Sequence, residues 1–219
     1  MTKPLAHSYS ALKLYENCPK QYYMQKISKE IKPSFGEASI YGNRIHEQLE
    51  MRLKVGSTTL PEESIKYEPL VAAFAALPGQ LVAEQEFTLN KELEPTGWWD
   101  DDAWLRAKLD ILIINGPDAL VADWKTGKRR PDFFQMELFA ILVFKMYPDV
   151  QRVKTSLVWL KTNEIDTEQY ARDEAPALWE KFYSKVGRIE ASLETGKWPC
   201  KPSGLCPWCP ATQRQCEFK

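Results

Sequence analysis

Apolar residues at helical spacing predict six helices along the chain. Ser8 or Ser10 can cap the first of them, because a serine hydroxyl accepts a hydrogen bond from a free amide of the first turn. That helix ends near Cys18 and Pro19, since the residue before a proline avoids the helical region. The other five predicted helices cover residues 20–27, 40–53, 69–77, 133–146 and 176–193.

Runs of β-forming residues predict four strands, over residues 81–89, 106–114, 119–125 and 150–160. The helix over residues 133–146 separates the last two strands, so these can run parallel with the helix crossing over the sheet. The sequence therefore predicts an α/β domain with a mixed four-stranded sheet flanked by helices and a cysteine-rich tail. We expect residues 1–195 and the tail, residues 196–219, to form one domain in which the tail packs back on the N-terminal region.

The second and third strands predict a hairpin that brings two carboxylates together. If Ile114 pairs with Ala119 across the polar turn, Asp110 lies opposite Asp123, at about 4.5–5.5 Å. Two like charges there destabilise a sheet, whereas a divalent cation between them removes the repulsion and prefers such oxygen ligands. Lys125 lies two residues after Asp123 and points to the same face. The hairpin predicts a metal-dependent hydrolytic site, and the alternative is a surface salt bridge.

The composition excludes several classes of protein. With 219 residues, of which 44% are hydrophobic, the chain can build one core of ordinary size. No apolar run approaches the roughly 18 residues that a membrane span needs. Residues 1–7 contain no apolar signal core, so we expect an intracellular, cytoplasmic protein without a membrane partner. The net charge of −1 argues mildly against a general nucleic-acid binder but allows a basic face.

Basic residues cluster in two places. The first cluster is Lys20, Lys26, Lys29 and Lys32, and the second is Lys125, Lys128, Arg129 and Arg130. Such clusters are usually only solvated surface, but the second adjoins the paired carboxylates. Tyr15 and Tyr22 could stack on unpaired bases, with a place in the core as the alternative. The candidate nucleic-acid contacts are therefore Tyr15, Tyr22, Lys128 and Arg129.

A few polar residues outside the hairpin are weaker candidates for the same site. A lone histidine on a helix, such as His46, is usually structural, although a neutral imidazole is also a common metal ligand. Gln135 could contact a phosphate or a metal-bound water, and a surface amide or helix cap accounts for it as well. Glu84 and Glu86 could reach the site from the first strand, and a solvated strand face accounts for them equally well.

The tail has a metal-binding pattern of cysteines. Cys206, Cys209 and Cys216 place three thiolates in a short segment, and the fourth ligand is either Cys200 or the distant Cys18. Five cysteines in an intracellular chain favour a metal or a cluster over disulfides. An iron–sulfur cluster, Zn²⁺ and free thiols are the alternatives. A thioredoxin-type motif is excluded, because only ten residues follow Cys209.

Together these motifs resemble the PD-(D/E)XK nuclease superfamily. Asp110, followed by Asp123-x-Lys125 on the next strand, is similar to the core of that superfamily. Three further segments resemble its RecB-like branch, which includes AddB-type subunits, CRISPR-adaptation nucleases and phage exonucleases. These segments are residues 8–22, the histidine helix at residues 42–50, and the glutamine motif at residues 135–139, with Phe139 where tyrosine is frequent.

The resemblance implies a restriction-endonuclease-like core and assigns roles to individual residues. The metal ligands that it implies, for Mg²⁺ or Mn²⁺, are His46, Asp110 and Asp123. The catalytic residues that it implies are Asp110, Asp123, Lys125 and Gln135. Because iron–sulfur members of the branch take one cysteine before the core and three after it, the resemblance also implies a [4Fe–4S] cluster, with Zn²⁺ as the alternative. Its ligands would be Cys18, Cys206, Cys209 and Cys216.

We therefore expect a metal-dependent DNA exonuclease that hydrolyses single or double strands from their ends. Such an enzyme would act in recombination, in repair or in the processing of phage DNA. In the last case the chain would be phage-encoded. An endonuclease or CRISPR-type end-trimming nuclease is an alternative with the same chemistry. A non-catalytic, cluster-bearing DNA-binding subunit is an alternative of another class. No phosphate-binding Gly-x-x-x-x-Gly-Lys-Ser/Thr motif is present, so unwinding would need a helicase partner; a single-strand-annealing protein is a second candidate partner.

Overall fold

A sheet of five strands forms the centre of the molecule, and its spatial order follows the chain from β1 to β5. The computed structural model describes residues 6–56 and 59–219. Most of the N-terminal segment from which the cytoplasmic location was predicted, residues 1–7, therefore lies outside the described residues. Neighbouring strands are antiparallel except β3 and β4, which are parallel. The strands are β1 (Gln80–Leu89), β2 (Leu105–Asn115), β3 (Asp118–Lys125), β4 (Arg152–Trp159) and β5 (Glu164–Ala171).

Six α-helices surround the sheet within the described residues, at the positions that the apolar spacing predicts. Ser8 caps the first, since its Oγ accepts a hydrogen bond from the Ala11 amide at 3.2 Å. A short π-helix, Tyr23–Ile27, continues the second. The helices are α1 (Tyr9–Asn17), α2 (Pro19–Tyr22), α3 (Glu37–Val55), α4 (Glu68–Ala75), α5 (Phe133–Met146) and α6 (Ala175–Thr195). None of the helices in the described parts of the chain combines the length and the hydropathy that a bilayer crossing requires.

The two faces of the sheet are covered by different helices. On one face α5 and α6 bury residues such as Met136 and Phe182 against β2 and β3. On the other face α3 and α4 bury Ile45, Leu49 and Phe74 against the same strands. Because α5 connects the parallel strands β3 and β4, the predicted crossover helix is confirmed. The active-site candidates on β2 and β3 thus lie between α3 on one side and α5 on the other.

The predicted number of four strands is wrong, since β5 is a fifth. β5 pairs with β4 at the edge of the sheet, and Tyr170 is its one fully buried residue. Its sequence, Glu-Ile-Asp-Thr-Glu-Gln-Tyr-Ala, is mostly polar. An edge strand with most of its side chains in solvent does not show the apolar alternation on which the prediction relied.

The β2–β3 hairpin has the predicted register, which confirms how its two aspartates are placed along the strands. The pair of Ile111 with Ala122 ends the ladder, so that Asp110 and Asp123 follow directly after it. Beyond that pair, the backbone N–H of Trp124 donates to Oδ2 of Asp110 at 2.7 Å. The Asp110 carboxylate therefore accepts a hydrogen bond that a backbone carbonyl would accept in a regular ladder, at the point where β2 and β3 separate.

The C-terminal tail lies against the first helices. The amide of Lys20 donates to the carbonyl of Pro199 at 3.2 Å, and Nζ of Lys201 donates to the carbonyl of Glu16 at 2.7 Å. Met24, Ile31 and Ala211 form a small apolar cluster between the two regions. These contacts join the two ends of the described chain, and the division at residue 195 stays a prediction.

Candidate active site

Asp123, Lys125 and Gln135 form a closed triangle between β3 and the first turn of α5. Nε2 of Gln135 donates to Oδ1 of Asp123 at 2.7 Å, and Nζ of Lys125 donates to Oε1 of Gln135 at 2.7 Å. Nζ of Lys125 also lies 2.6 Å from Oδ2 of Asp123. Gln135 thus uses both ends of its amide to hold a buried carboxylate and a half-buried ammonium side by side.

A second group lies beside this triangle and joins α3 to β1 and β2. Nδ1 of His46 lies 3.2 Å from Oδ2 of Asp110. Together with Glu84, these residues offer ligand atoms that all lie within 4.8 Å of one another. The structure therefore brings His46 and Asp110 together, as the resemblance implied, and adds Glu84 from the neighbouring strand.

Glu84 occupies an unusual backbone conformation. Its φ of 57° is in the left-handed region, which a non-glycine residue rarely adopts within a strand. The β1–β2 ladder skips this residue, pairing Ala83 with Ile111 and Gln85 with Leu109. Glu84 and Asp110 are the residues that lie between these two pairs. The pairing of β1 with β2 would associate Glu84 with Asp110 if it were known. Nothing in the sequence pattern indicates the left-handed residue that breaks this ladder, so the sequence alone does not distinguish Glu84 from Glu86.

The electrostatics of the site favour a bound cation. Burial, followed by the charge of Asp110, raises the pKa of Asp123 above its ordinary value. Burial also raises the pKa of Glu84. At His46 burial opposes the charged form, but the adjacent Asp110 carboxylate outweighs it, so the pKa of His46 is raised. At Asp123 and at His46 the negative charge of Asp110 contributes to the raised pKa, and a cation bound beside these residues would offset that charge.

The donor atoms also fit a hard divalent ion. Oδ2 of Asp123 is fully buried and receives no hydrogen bond of ordinary geometry, although the Lys125 ammonium is close. A buried carboxylate is costly unless a cation is near it, and the Lys125 ammonium supplies one positive charge beside the two carboxylates Asp110 and Asp123. Carboxylate oxygens suit Mg²⁺ and Mn²⁺, and an imidazole nitrogen completes a mixed set. His46, Glu84, Asp110 and Asp123 are therefore the residues that could hold such an ion.

Tyr15 and Tyr22, two of the four expected nucleic-acid contacts, pack against other parts of the protein. Tyr22 is fully buried, so the prediction that it contacts a base is wrong. The hydroxyl of Tyr15 contacts the carbonyl of Arg188 at 2.8 Å and Oγ of Ser192 at 2.7 Å. The rings of Tyr15 and Tyr22 both pack against Trp198 of the tail. Their aromatic character serves the packing of α1, α2, α6 and the tail.

The basic residues after β3 divide into two kinds. Arg129 forms ion pairs with Glu164 and Asp166, so its charge is already neutralised by β5. Lys128 is exposed in the same loop. Because β5 was not predicted, nothing in the pattern of the sequence indicated these partners of Arg129.

Four of the five cysteines line one pocket between α2 and the tail. They are Cys18, Cys206, Cys209 and Cys216. The fifth, Cys200, is not part of that lining, but its Sγ lies 3.8 Å from Sγ of Cys216. Burial raises the pKa of the Cys200 thiol to about 11. The set that lines the pocket is the set that the resemblance implied, and the thiol chemistry of this pocket fits a metal or a cluster.

Comparisons with known proteins agree with this geometry. The family model of the PD-(D/E)XK nuclease superfamily matches residues 6–217. A crystal structure from Eubacterium rectale named "Putative exonuclease" is similar, with a TM-score of 0.56 and 14% identity, over 94% of this chain and 87% of that one. The structure of SSO0001 gives a TM-score of 0.49 and 15% identity, over 95% and 85%. No curated protein matches the chain.

Proposed function

Because the chain belongs to the PD-(D/E)XK nuclease superfamily, we propose that it is a metal-dependent exonuclease that hydrolyses DNA from its ends. Membership of this superfamily already implies a nuclease that uses a divalent metal. The observation that carries the proposal is the pair of adjoining groups at the open end of the β2–β3 hairpin. These groups are His46, Glu84 and Asp110 on one side, and Asp123, Lys125 and Gln135 on the other.

The metal would be held by the carboxylates and the imidazole. We propose His46, Asp110 and Asp123 as ligands, with Glu84 as the fourth. When bound, Mg²⁺ or Mn²⁺ supplies a Lewis acid for the phosphoryl group and lowers the pKa of a water molecule. Carboxylates suit both ions, and a comparison of the cleavage rates in Mg²⁺ and Mn²⁺ distinguishes them.

Lys125 has the position of a residue that acts on the substrate phosphate. Its ammonium is fixed by Asp123 and Gln135 at 2.6 and 2.7 Å, so little reorganisation is needed when charge develops on the phosphate oxygens. The same ammonium can orient the attacking water. Gln135 contacts both Asp123 and Lys125 and holds them in this arrangement, so we propose it as a positioning residue.

The tail pocket supports a metal cofactor of structural type. We propose a [4Fe–4S] cluster bound by Cys18, Cys206, Cys209 and Cys216, with Zn²⁺ as the alternative. The observation that supports this set is that the four cysteines line one pocket, where thiolates suit either group.

We assign the activity to the ends of DNA rather than to internal sites. The name of the neighbour from Eubacterium rectale includes the word exonuclease, which supports this choice at the level of fold. A cytoplasmic role in recombination, repair or phage DNA processing is consistent with such an activity. A helicase or annealing partner stays a prediction from the sequence.

The test is the cleavage of linear and covalently closed circular DNA by the purified protein with Mg²⁺ or Mn²⁺. We expect the linear molecules to be degraded and the circles to survive, and Asp110→Asn to abolish the degradation. Cleavage of the circles at an equal rate would identify an endonuclease. Loss of neither substrate with either metal would favour the non-catalytic alternative and overturn the proposal.

A further inference from the structure

The tail carries exposed apolar side chains that the active site does not use. Trp208 is 74% exposed, Leu205 is 54% exposed and Phe218 is 45% exposed. Leu205 and Phe218 line the same pocket as the four cysteines, and the amide of Trp208 donates to the carbonyl of Leu205 at 3.1 Å, so the three residues lie in one part of the tail. Exposed apolar side chains that form a patch often mark an interaction site. With the basic residues Lys201, Arg214 and Lys219, these residues define what we call the tail surface.

The charge of the tail differs from that of the rest of the chain. Residues 196–219 contain four basic side chains and one acidic one, whereas the whole chain has a net charge of −1. Arg214 and Lys201 are exposed. Nζ of Lys219 donates to the carbonyls of Cys206 and Pro207 at 2.9 and 2.8 Å, which places its charge beside Trp208. The tail surface therefore combines an aromatic ring with positive charge, which complements an anionic partner with aromatic groups.

Trp208 lies on a fixed turn. The 3₁₀ segment Cys206–Trp208 is closed by a hydrogen bond from the Cys209 amide to the Cys206 carbonyl at 3.0 Å. Both of these cysteines line the metal pocket. A ring on a short hydrogen-bonded turn loses less backbone freedom on binding than one on an irregular segment, so less binding energy is lost to ordering.

Helix α1 connects the tail surface to the active site. At its start Tyr9 donates to Asp132 at 3.0 Å, and Asp132 caps α5, whose first turn contains Gln135. Directly after its end, Cys18 lines the pocket of the tail. At about 1.5 Å per residue the helix is about 13 Å long. A DNA strand that touches both places must span at least this distance, which is compatible with the ~4–16 nucleotides of single-strand binding sites.

We propose that the tail surface binds an unpaired strand of the DNA substrate. Trp208 stacks on a base, and Arg214 and Lys201 contact phosphates. This inference rests on the proposed function, since it supplies a second contact for the same substrate. Stacking on an aromatic ring needs no particular base, so the contact raises affinity for single strands without selecting a sequence.

The test measures the affinity of full-length protein for a fluorescent single-stranded oligonucleotide, in the Lys125→Ala background so that the DNA persists. We expect Trp208→Ala to weaken binding by about fivefold to 100-fold, the effect of losing one stacked base. Trp99→Ala is the matched control, because Trp99 is 77% exposed but is followed by three aspartates. It should change the affinity by less than about twofold. Iron and zinc contents are measured in each variant to show that the tail is intact.

Arg214→Gln is a second variant, which removes charge from an exposed side chain. We expect weaker binding and a salt dependence with a slope smaller by about one. If Trp208→Ala loses its metal, this variant decides the question. Unchanged affinity and salt slope in the intact variants, or an equal loss in Trp99→Ala, would overturn the tail surface as a DNA contact. Normal cleavage by the wild-type protein, together with unchanged binding in the tail variants, would refute this inference alone. A wild-type protein that does not cleave DNA would refute the proposed function.

Discussion

His7 and His46, the two histidines of the chain, have pKa values shifted in opposite directions. His7 is buried against Trp104, with ring centroids 5.6 Å apart, and burial lowers its pKa to about 4. His46 is also buried, but the adjacent Asp110 carboxylate outweighs that effect and raises its pKa. One histidine therefore remains neutral as part of the core, while the other has the acidic neighbour expected of a residue at a metal site.

The pKa of His7 predicts a loss of stability in acid. Between pH 6.5 and pH 4 the unfolded chain binds a proton that the folded His7 does not, so the free energy of unfolding falls as the pH falls. From the pKa of about 4, this loss is about 2 kcal/mol between pH 7 and pH 5. Urea unfolding of wild type and His7→Gln at the two pH values measures it. The variant should lose about 2 kcal/mol less than wild type, and equal losses would contradict the burial of a neutral imidazole.

At the scale of single residues, some candidate site residues could be predicted from the sequence and others could not, for physical reasons that the fold shows. Asp110 and Asp123 could be placed side by side because strand register is set by a turn and by alternation, both of which are local. Glu84 could not be selected over Glu86, because its left-handed backbone breaks the ladder and depends on the neighbouring strand. Tyr22 was misplaced because the ring of Trp198, far away in the chain, packs against it.

At the scale of elements, the crossover and the hairpin were predictable and the edge of the sheet was not. α5 was predicted with its observed bounds, because a long apolar helix between two strands is typical of a crossover connection. β5 was not, because a polar edge strand depends on hydrogen bonds to β4 rather than on its own side chains. Its absence from the prediction also hid the acidic partners of Arg129.

The position of α3 fixes His46 in the site, and Gly42 sets how closely that helix approaches. A Cβ at Gly42 would lie 2.9 Å from Oγ1 of Thr126, the residue after Lys125. Gly187 on α6 is the matched control, since nothing lies within 4 Å of a Cβ built there. Both glycines are inside helices, where alanine is intrinsically better by about 1 kcal/mol.

We therefore expect Gly187→Ala to stabilise the protein by about 0.5–1 kcal/mol. Gly42→Ala should be less stable than Gly187→Ala and should bind Mn²⁺ more weakly, because the contact moves α3 and His46 away from Asp110. Adding Thr126→Ala to Gly42→Ala removes the contact and should restore both properties. Urea unfolding and calorimetric titration with Mn²⁺ make the comparison. Equal gains at the two glycines with unchanged Mn²⁺ affinity would refute this role of the close approach.

At the scale of the whole molecule, the cysteine pocket joins regions that lie at opposite ends of the chain. Cys18 follows α1, and the other pocket cysteines lie in the tail. A metal or cluster held there would close a very long loop, which is where a cross-link stabilises most in the loop-entropy account. The spacing of the tail cysteines indicated three ligands, the family resemblance implied Cys18 as the fourth, and the fold places Cys18 in the same pocket as those three.

This arrangement predicts which cysteine is the fourth ligand. Cys18→Ser should lose most of the bound metal and about 2–5 kcal/mol of stability. Cys200→Ser should retain the metal content of the wild type, because Cys18 is the ligand that the resemblance implies and the one that lines the pocket with the three tail cysteines. Cys200 is the competing candidate, since its Sγ lies 3.8 Å from Sγ of Cys216. Elemental analysis and a visible spectrum after anaerobic purification measure the outcome. Loss of metal in Cys200→Ser with retention in Cys18→Ser would reverse the assignment, and a colourless protein that contains zinc and no iron would exclude the cluster.

The most direct test of the central claim, a nuclease site at the open end of the β2–β3 hairpin, is the cleavage of end-labelled linear DNA in Mn²⁺ by Lys125→Ala. The ammonium of Lys125 is held by Asp123 and Gln135, so its removal takes away the group that we propose to meet the developing charge. We predict a rate lower by about 10²–10³ in a protein that still folds, while Lys161→Ala, an exposed lysine after β4, keeps the wild-type rate. Full activity of a folded Lys125→Ala protein would contradict the account.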